Sequence, residues 1–89
     1  MPRREAEALS GPDFPDDATI QARVRDALAW EEDLRGTVIG VRVANSEVTL
    51  EGWVLTEQQR RLAGETADAV WGVGRVINNL SVRGERRRG

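Results

Sequence analysis

Apolar residues change their spacing along this chain, and each change marks an element. Ile20, Val24, Ala27 and Leu28 recur at helical intervals, so a first helix is expected over about 17–31. Asp16 and Asp17 precede it, residue types suited to a helix N-cap and to the positive end of the helix dipole. Glu32, Asp33, Arg35 and Gly36 end it. From Val38 to Val54 the period shortens to two. Ile39, Val41 and Val43 point one way, and Val48, Leu50, Gly52 and Val54 answer them across a turn at Asn45-Ser46. Thr56 and Gln59 then have the T-x-x-Q spacing of a capping box. Ala63, Thr66, Ala67 and Val70 form a narrow helical face that can sit close to a sheet, with Gly72 as its expected stop. A third strand follows, with Val76, Asn78, Leu80 and Val82 on one face and Ile77, Asn79 and Ser81 on the other.

The order helix, strand, strand, helix, strand predicts an α+β fold, a three-stranded sheet with two helices on one face. A two-residue loop pairs Ala44 with Glu47, Val43 with Val48, Val41 with Leu50 and Ile39 with Gly52. Slipping by one residue would turn Glu47, Glu51 and Trp53 into the core, so the register is strongly specified. The third strand is expected parallel to the second. Its place beside either arm of the hairpin is left open. Residues 1–15, with Ser10, Gly11, Pro12 and Pro15, read as a flexible arm; 16–83 read as a single domain; 84–89 read as a basic tail.

Composition narrows the chemistry. The 89 residues allow one small domain. They contain no Cys, His, Tyr or Lys. Thiolate, imidazole and Schiff-base chemistry are therefore excluded, and with them the commonest metal ligands. Only carboxylates, Arg, Ser and Thr remain for catalysis, and no convergent carboxylate pair is visible. The expectation is a non-enzymatic protein with no cofactor and no metal. All 13 basic residues are Arg, and the formal net charge is −2. Nucleic-acid binding is thereby disfavoured. Gly72 and Gly74 follow a helix and precede a strand, the wrong context for a dinucleotide loop. No apolar run approaches the ~18 residues of a membrane span. No apolar segment follows Arg3 and Arg4, so the chain as written predicts a cytoplasmic protein, peripheral at the membrane. Removal of a signal would make it periplasmic.

Two stretches together are distinctive. Val41-Arg42-Val43-Ala44-Asn45 leads to Val48-Thr49-Leu50-Glu51-Gly52-Trp53-Val54, and Gly72-Val73 leads to Val76, Asn78, Leu80 and Val82. With Ile20, Val24, Leu28, Ala63, Ala67 and Val70, they resemble a BON domain, a small bacterial module of osmotic-stress, envelope and channel-associated proteins. The resemblance covers about Asp16 to Arg83. It implies the same helix-strand-strand-helix-strand fold, and attachment without catalysis to phospholipid surfaces or envelope partners. Ser46 stands where many relatives have glycine in the turn.

The register also predicts which residues remain outside. Val38 faces Trp53, Gly40 faces Glu51 and Arg42 faces Thr49, with Arg42 and Glu51 diagonal neighbours able to pair. Ile77 joins this face from the third strand. Trp30, off the first helix's apolar stripe, is expected at the same end of the molecule as Trp53, Arg83 and the tail Arg86, Arg87 and Arg88. Tryptophan favours lipid headgroups and arginine favours anionic lipid, so Trp30, Val38, Arg42, Trp53, Ile77, Arg83, Arg86, Arg87 and Arg88 form the candidate contact for phospholipid or a membrane-associated protein. Glu31, Glu32 and Asp33 near that end would oppose anionic lipid. The alternative is an interaction or homo-oligomerisation domain using Val38, Trp53 and Ile77. Trp71, at the other end, is expected to staple the second helix to the sheet edge.

Overall fold

Asp16 starts the first helix. Its carboxylate accepts the Thr19 amide at 2.9 Å, and helix α1 runs Asp17–Trp30. Its apolar stripe is Ile20, Val24 and Leu28, all buried. A short 3-10 turn, Glu32–Leu34, follows where the sequence suggested only a break. It buries Leu34, which explains the extra half-structure: the chain must descend to the sheet before β1 can start. The computed structural model describes residues 15–83. The expected arm, except Pro15, and the whole expected tail lie outside the described residues.

Strands β1 (Val38–Ala44) and β2 (Glu47–Val54) pair antiparallel in the register read from the sequence, from Val38 opposite Trp53 to Ala44 opposite Glu47. Asn45 and Ser46 both have positive φ, 54° and 65°, as a mirror-image two-residue turn requires. Asp17 secures that turn from the helix, its carboxylate accepting the amides of Asn45 at 2.8 Å and Ser46 at 3.0 Å. At Gly52 the backbone has φ +121°, and a Cβ there would run into the Val38 carbonyl oxygen. The close approach of β1 and β2 at that point therefore requires glycine.

Helix α2 (Glu57–Asp68) is opened by the full capping box: the Gln59 amide donates to Thr56 Oγ1 at 3.0 Å, and Gln59 Oε1 accepts the Thr56 amide at 3.3 Å. The helix ends at Asp68, capped by Ala69, before the expected stop at Gly72. Tight four-residue turns replace the last helical turn, with the Val70 amide on Ala67 O and the Val73 amide on Val70 O. They let both valines pack against the core.

Strand β3 (Arg75–Val82) lies parallel to β2, giving the order β1-β2-β3 and settling which arm it joins. Ile20, Val24, Val48, Leu50, Val54, Ala63 and Ala67 are fully buried in one core, which places both helices on the same face. Asn78, the polar residue among the inward positions of β3, donates to Arg60 O at 2.8 Å and accepts the Leu80 amide at 3.3 Å. Arg60 Nε donates to Leu80 O at 3.3 Å. This exchange satisfies the Leu80 amide and carbonyl at the β3 edge and fastens α2 to it. Gly64 makes the approach possible, since a Cβ there would meet Asn78 Nδ2 at 2.8 Å.

Candidate functional site

The face of the sheet away from the helices is a grid of four rows. They are Val38–Trp53–Ser81, Gly40–Glu51–Asn79, Arg42–Thr49–Ile77 and Ala44–Glu47–Arg75. The core-facing and outward sets alternate along every strand, so this face is fixed by the same register that builds the core. Arg42 pairs with Glu51 at 3.7 Å and Arg75 with Glu47 at 3.5 Å. Both pairs are substantially exposed and contribute about 0–1 kcal/mol each.

The first row ends the sheet. Beyond it the Arg83 amide donates to Val54 O at 2.8 Å, continuing the β2–β3 pairing by one bond. The Arg83 guanidinium then folds over Trp53, 4.5 Å from the ring centroid. Stacking of this kind is worth about 0.5–1 kcal/mol at an exposed site and fixes the orientation of both groups. Val38, next to Trp53 in the row, is 54% exposed.

Trp30 reaches this end from the other layer. Asp17 holds the start of α1 at the hairpin turn, and 14 residues at about 1.5 Å each carry Trp30 some 20 Å away, toward the start of β1. Trp30 is 82% exposed. Trp30, Val38, Trp53 and Arg83 thus share one end of the domain. Ile77 does not belong with them: it stands two rows away beside Thr49, so no continuous Val38–Trp53–Ile77 apolar patch forms. Arg42 lies in that same distant row and is engaged with Glu51. Arg86, Arg87 and Arg88 lie outside the described residues. Trp71 is at the opposite end, where Ser46 and Pro15 line a cleft with it. It is 62% exposed, and Val70 and Val73 on either side of it in the chain pack against the core.

The stacked Arg83–Trp53 pair was missed as a pair in the sequence. Alternation in the sequence puts Ser81 and Arg83 on one face; that Ser81 lies opposite Trp53, which brings Arg83 to the ring, follows only from the β2–β3 register. The electrostatics of this end are mixed, because Glu32 and Asp33 are exposed near Trp30. Among the described residues no three His, Cys, Asp or Glu side chains could hold a metal ion, and no helix is long and apolar enough to cross a membrane.

The sequence pattern of the BON domain matches residues 16–84. The chain belongs to the BON domain family. Osmotically-inducible protein Y of Escherichia coli (strain K12) is 37% identical over 70 residues, which is 79% of this chain and 35% of that protein. The BON domain chain therefore spans about a third of the length of this curated relative. Among solved structures, it is similar in fold to the C-terminal domain of CdsD, the structural protein of the type III secretion system of Chlamydia trachomatis. That likeness has a TM-score of 0.61 at 14% identity and covers 75% of this chain and 33% of that one. The likeness to CdsD is one of fold alone.

Proposed function

We propose that this BON domain is a non-catalytic module that attaches to anionic phospholipid surfaces or their associated proteins and serves in protection against osmotic stress. The observation that carries the reading is the gathering of exposed Trp30 and Val38 with the stacked Arg83–Trp53 pair at one end of the sheet. Indole rings partition to the headgroup layer, and a guanidinium beside one supplies a phosphate contact at the same depth. Glu32 and Asp33 oppose adsorption, so the attraction comes from Arg83 and from Arg86, Arg87 and Arg88. The likeness to an osmotically inducible protein supports the stress role.

Co-sedimentation with vesicles tests this. Binding is expected to anionic vesicles at low salt, to fall with salt, and to be weak on zwitterionic vesicles. No binding at low salt, or binding unchanged by Trp53→Ala combined with removal of residues 84–89, contradicts the reading.

The exposed Val38 beside Trp53 at the end of the uncovered sheet face favours a second reading, a protein-interaction or homo-oligomerisation domain. Light scattering across concentration separates the two: a stable dimer abolished by Trp53→Glu supports this second reading.

A further inference from the structure

A second feature lies on the helix side of the sheet. Between the C-terminal half of α1 and the outer edge of β1 is a groove of about 270 Å³, room for roughly nine waters at ~30 Å³ each. Its floor is where the core comes nearest the solvent: Leu28, Leu34 and Val41 keep 8%, 6% and 7% of their surface exposed, whereas Ile20, Val24, Val48, Leu50 and Val54 keep none. Ile39 continues that floor. Two arginines line it, Arg25 from the helix and Arg35 from the linker that follows the 3-10 turn. Arg42, Arg60, Arg61 and Arg75 form ion pairs, and Arg83 stacks on Trp53. Among the described residues Arg25 and Arg35 have neither kind of partner, so the groove holds two uncommitted cations beside one carboxylate, Glu31.

The groove is also built, not incidental. Gln59 Nε2 donates to Asp33 O at 2.9 Å and to Arg35 O at 3.5 Å, which ties the Arg35 segment to the start of α2. Thr37 Oγ1 donates to Leu34 O at 2.6 Å and shapes the turn into β1. Gln21 Nε2 donates to Val41 O at 3.1 Å and closes the strand edge that forms the floor. These bonds hold the frame of the groove, so ligand entry has mainly the two arginine side chains to order.

We propose that this groove binds a phosphorylated polyol of glycerophosphate size. A tetrahedral phosphate accepts the planar forks of two arginines approaching from different elements. The polyol hydroxyls donate to the Glu31 carboxylate, which a second anionic group could not do. The carbon skeleton covers Ile39 and the exposed edges of Leu28 and Val41. The same chemistry occurs in free glycerol phosphates and in phosphatidylglycerol headgroups. The proposal deepens the membrane reading in its lipid form and stands without it in its soluble form.

The test is an NMR titration of the full chain, following backbone amides and arginine Nε signals. The probes are glycerol 3-phosphate, inorganic phosphate, and dihexanoyl phosphatidylglycerol and phosphatidylcholine below their micelle concentrations. Saturable shifts at Arg25, Arg35, Thr37 and Ile39 are expected with glycerol 3-phosphate or phosphatidylglycerol. Arg25→Ala and Arg35→Ala should each weaken them about tenfold, while Arg42→Ala leaves them unchanged. Tighter binding of phosphatidylglycerol assigns the groove to lipid; equal or tighter binding of glycerol 3-phosphate assigns it to the soluble compound. Absence of saturable shifts, equal binding of inorganic phosphate, or insensitivity to the two arginine substitutions overturns the proposal. Vesicle adsorption that survives Arg25→Ala with Arg35→Ala, but not Trp53→Ala with tail removal, separates failure of the groove from failure of the surface reading.

Discussion

The guanidinium of Arg83 lies over the ring of Trp53, 4.5 Å from its centroid. Trp53 is set by the hairpin, and Arg83 by the end of a strand that the crossover helix returns parallel to β2. The pair therefore forms only when the whole topology is in place. Arg83→Ala should lower the affinity for anionic vesicles about fivefold, the weight of one basic residue near such a surface. The same change should leave the urea midpoint nearly unmoved, because an exposed cation–π contact adds at most about 1 kcal/mol.

Gln59 joins three segments. Its Oε1 accepts the Leu55 amide at 2.7 Å and the Thr56 amide at 3.3 Å, while Nε2 holds the Asp33 carbonyl at 2.9 Å. Gln59→Ala removes all of these and should cost about 2–3 kcal/mol in urea unfolding. Gln59→Glu keeps the acceptor and loses the donor, so its cost should fall between wild type and Gln59→Ala.

Ser46 occupies a left-handed backbone conformation, φ 65°, in which a side chain is unfavourable. Ser46→Gly should stabilise the domain by about 0.5–1 kcal/mol, measured as a higher urea midpoint at unchanged slope. The Ser46 amide still reaches Asp17 after this change, so Asp17→Ala should remain destabilising in the Ser46→Gly background.

Hydrogen bonds from Thr19, side chain first and then backbone, hold the Asp16 carboxyl below its ordinary value. A carboxyl depressed by folding stabilises the native state above its unfolded-chain value, and that contribution is lost as pH falls through the lower native value. The stability of the domain should thus decline in acid below about pH 4. Asp16→Asn, which keeps a capping oxygen without the titration, should remove part of that decline in urea unfolding measured against pH.

Much of the fold was legible because the hairpin carries its own register. Every inward position from Ile39 to Gly52 meets an inward partner, and the structure has those pairs. The capping box at Thr56 was equally local. The end of α2 was not, because tertiary packing of Val70 and Val73 outweighed the stop signal at Gly72. The order of the strands depended on the crossover, which periodicity does not encode. At the candidate site the outward residues were legible from alternation. Their neighbours across β3 were not, so Ile77 was grouped with Trp53 although it sits two rows away. The double clamp of Asp17 on the turn joins residues 28 and 29 positions apart, a relation no short window contains.

The most direct measurement uses the three tryptophans as depth gauges. Single-tryptophan variants retaining Trp30, Trp53 or Trp71, with the others changed to Phe, are mixed with anionic vesicles containing brominated lipid. Trp30 and Trp53 share the proposed contact end, and Trp71 lies with Ser46 at the opposite end. Quenching of Trp30 and Trp53 with little quenching of Trp71 is the expected result. Quenching of Trp71 alone, or equal quenching of all three, would contradict attachment through the Arg83–Trp53 end.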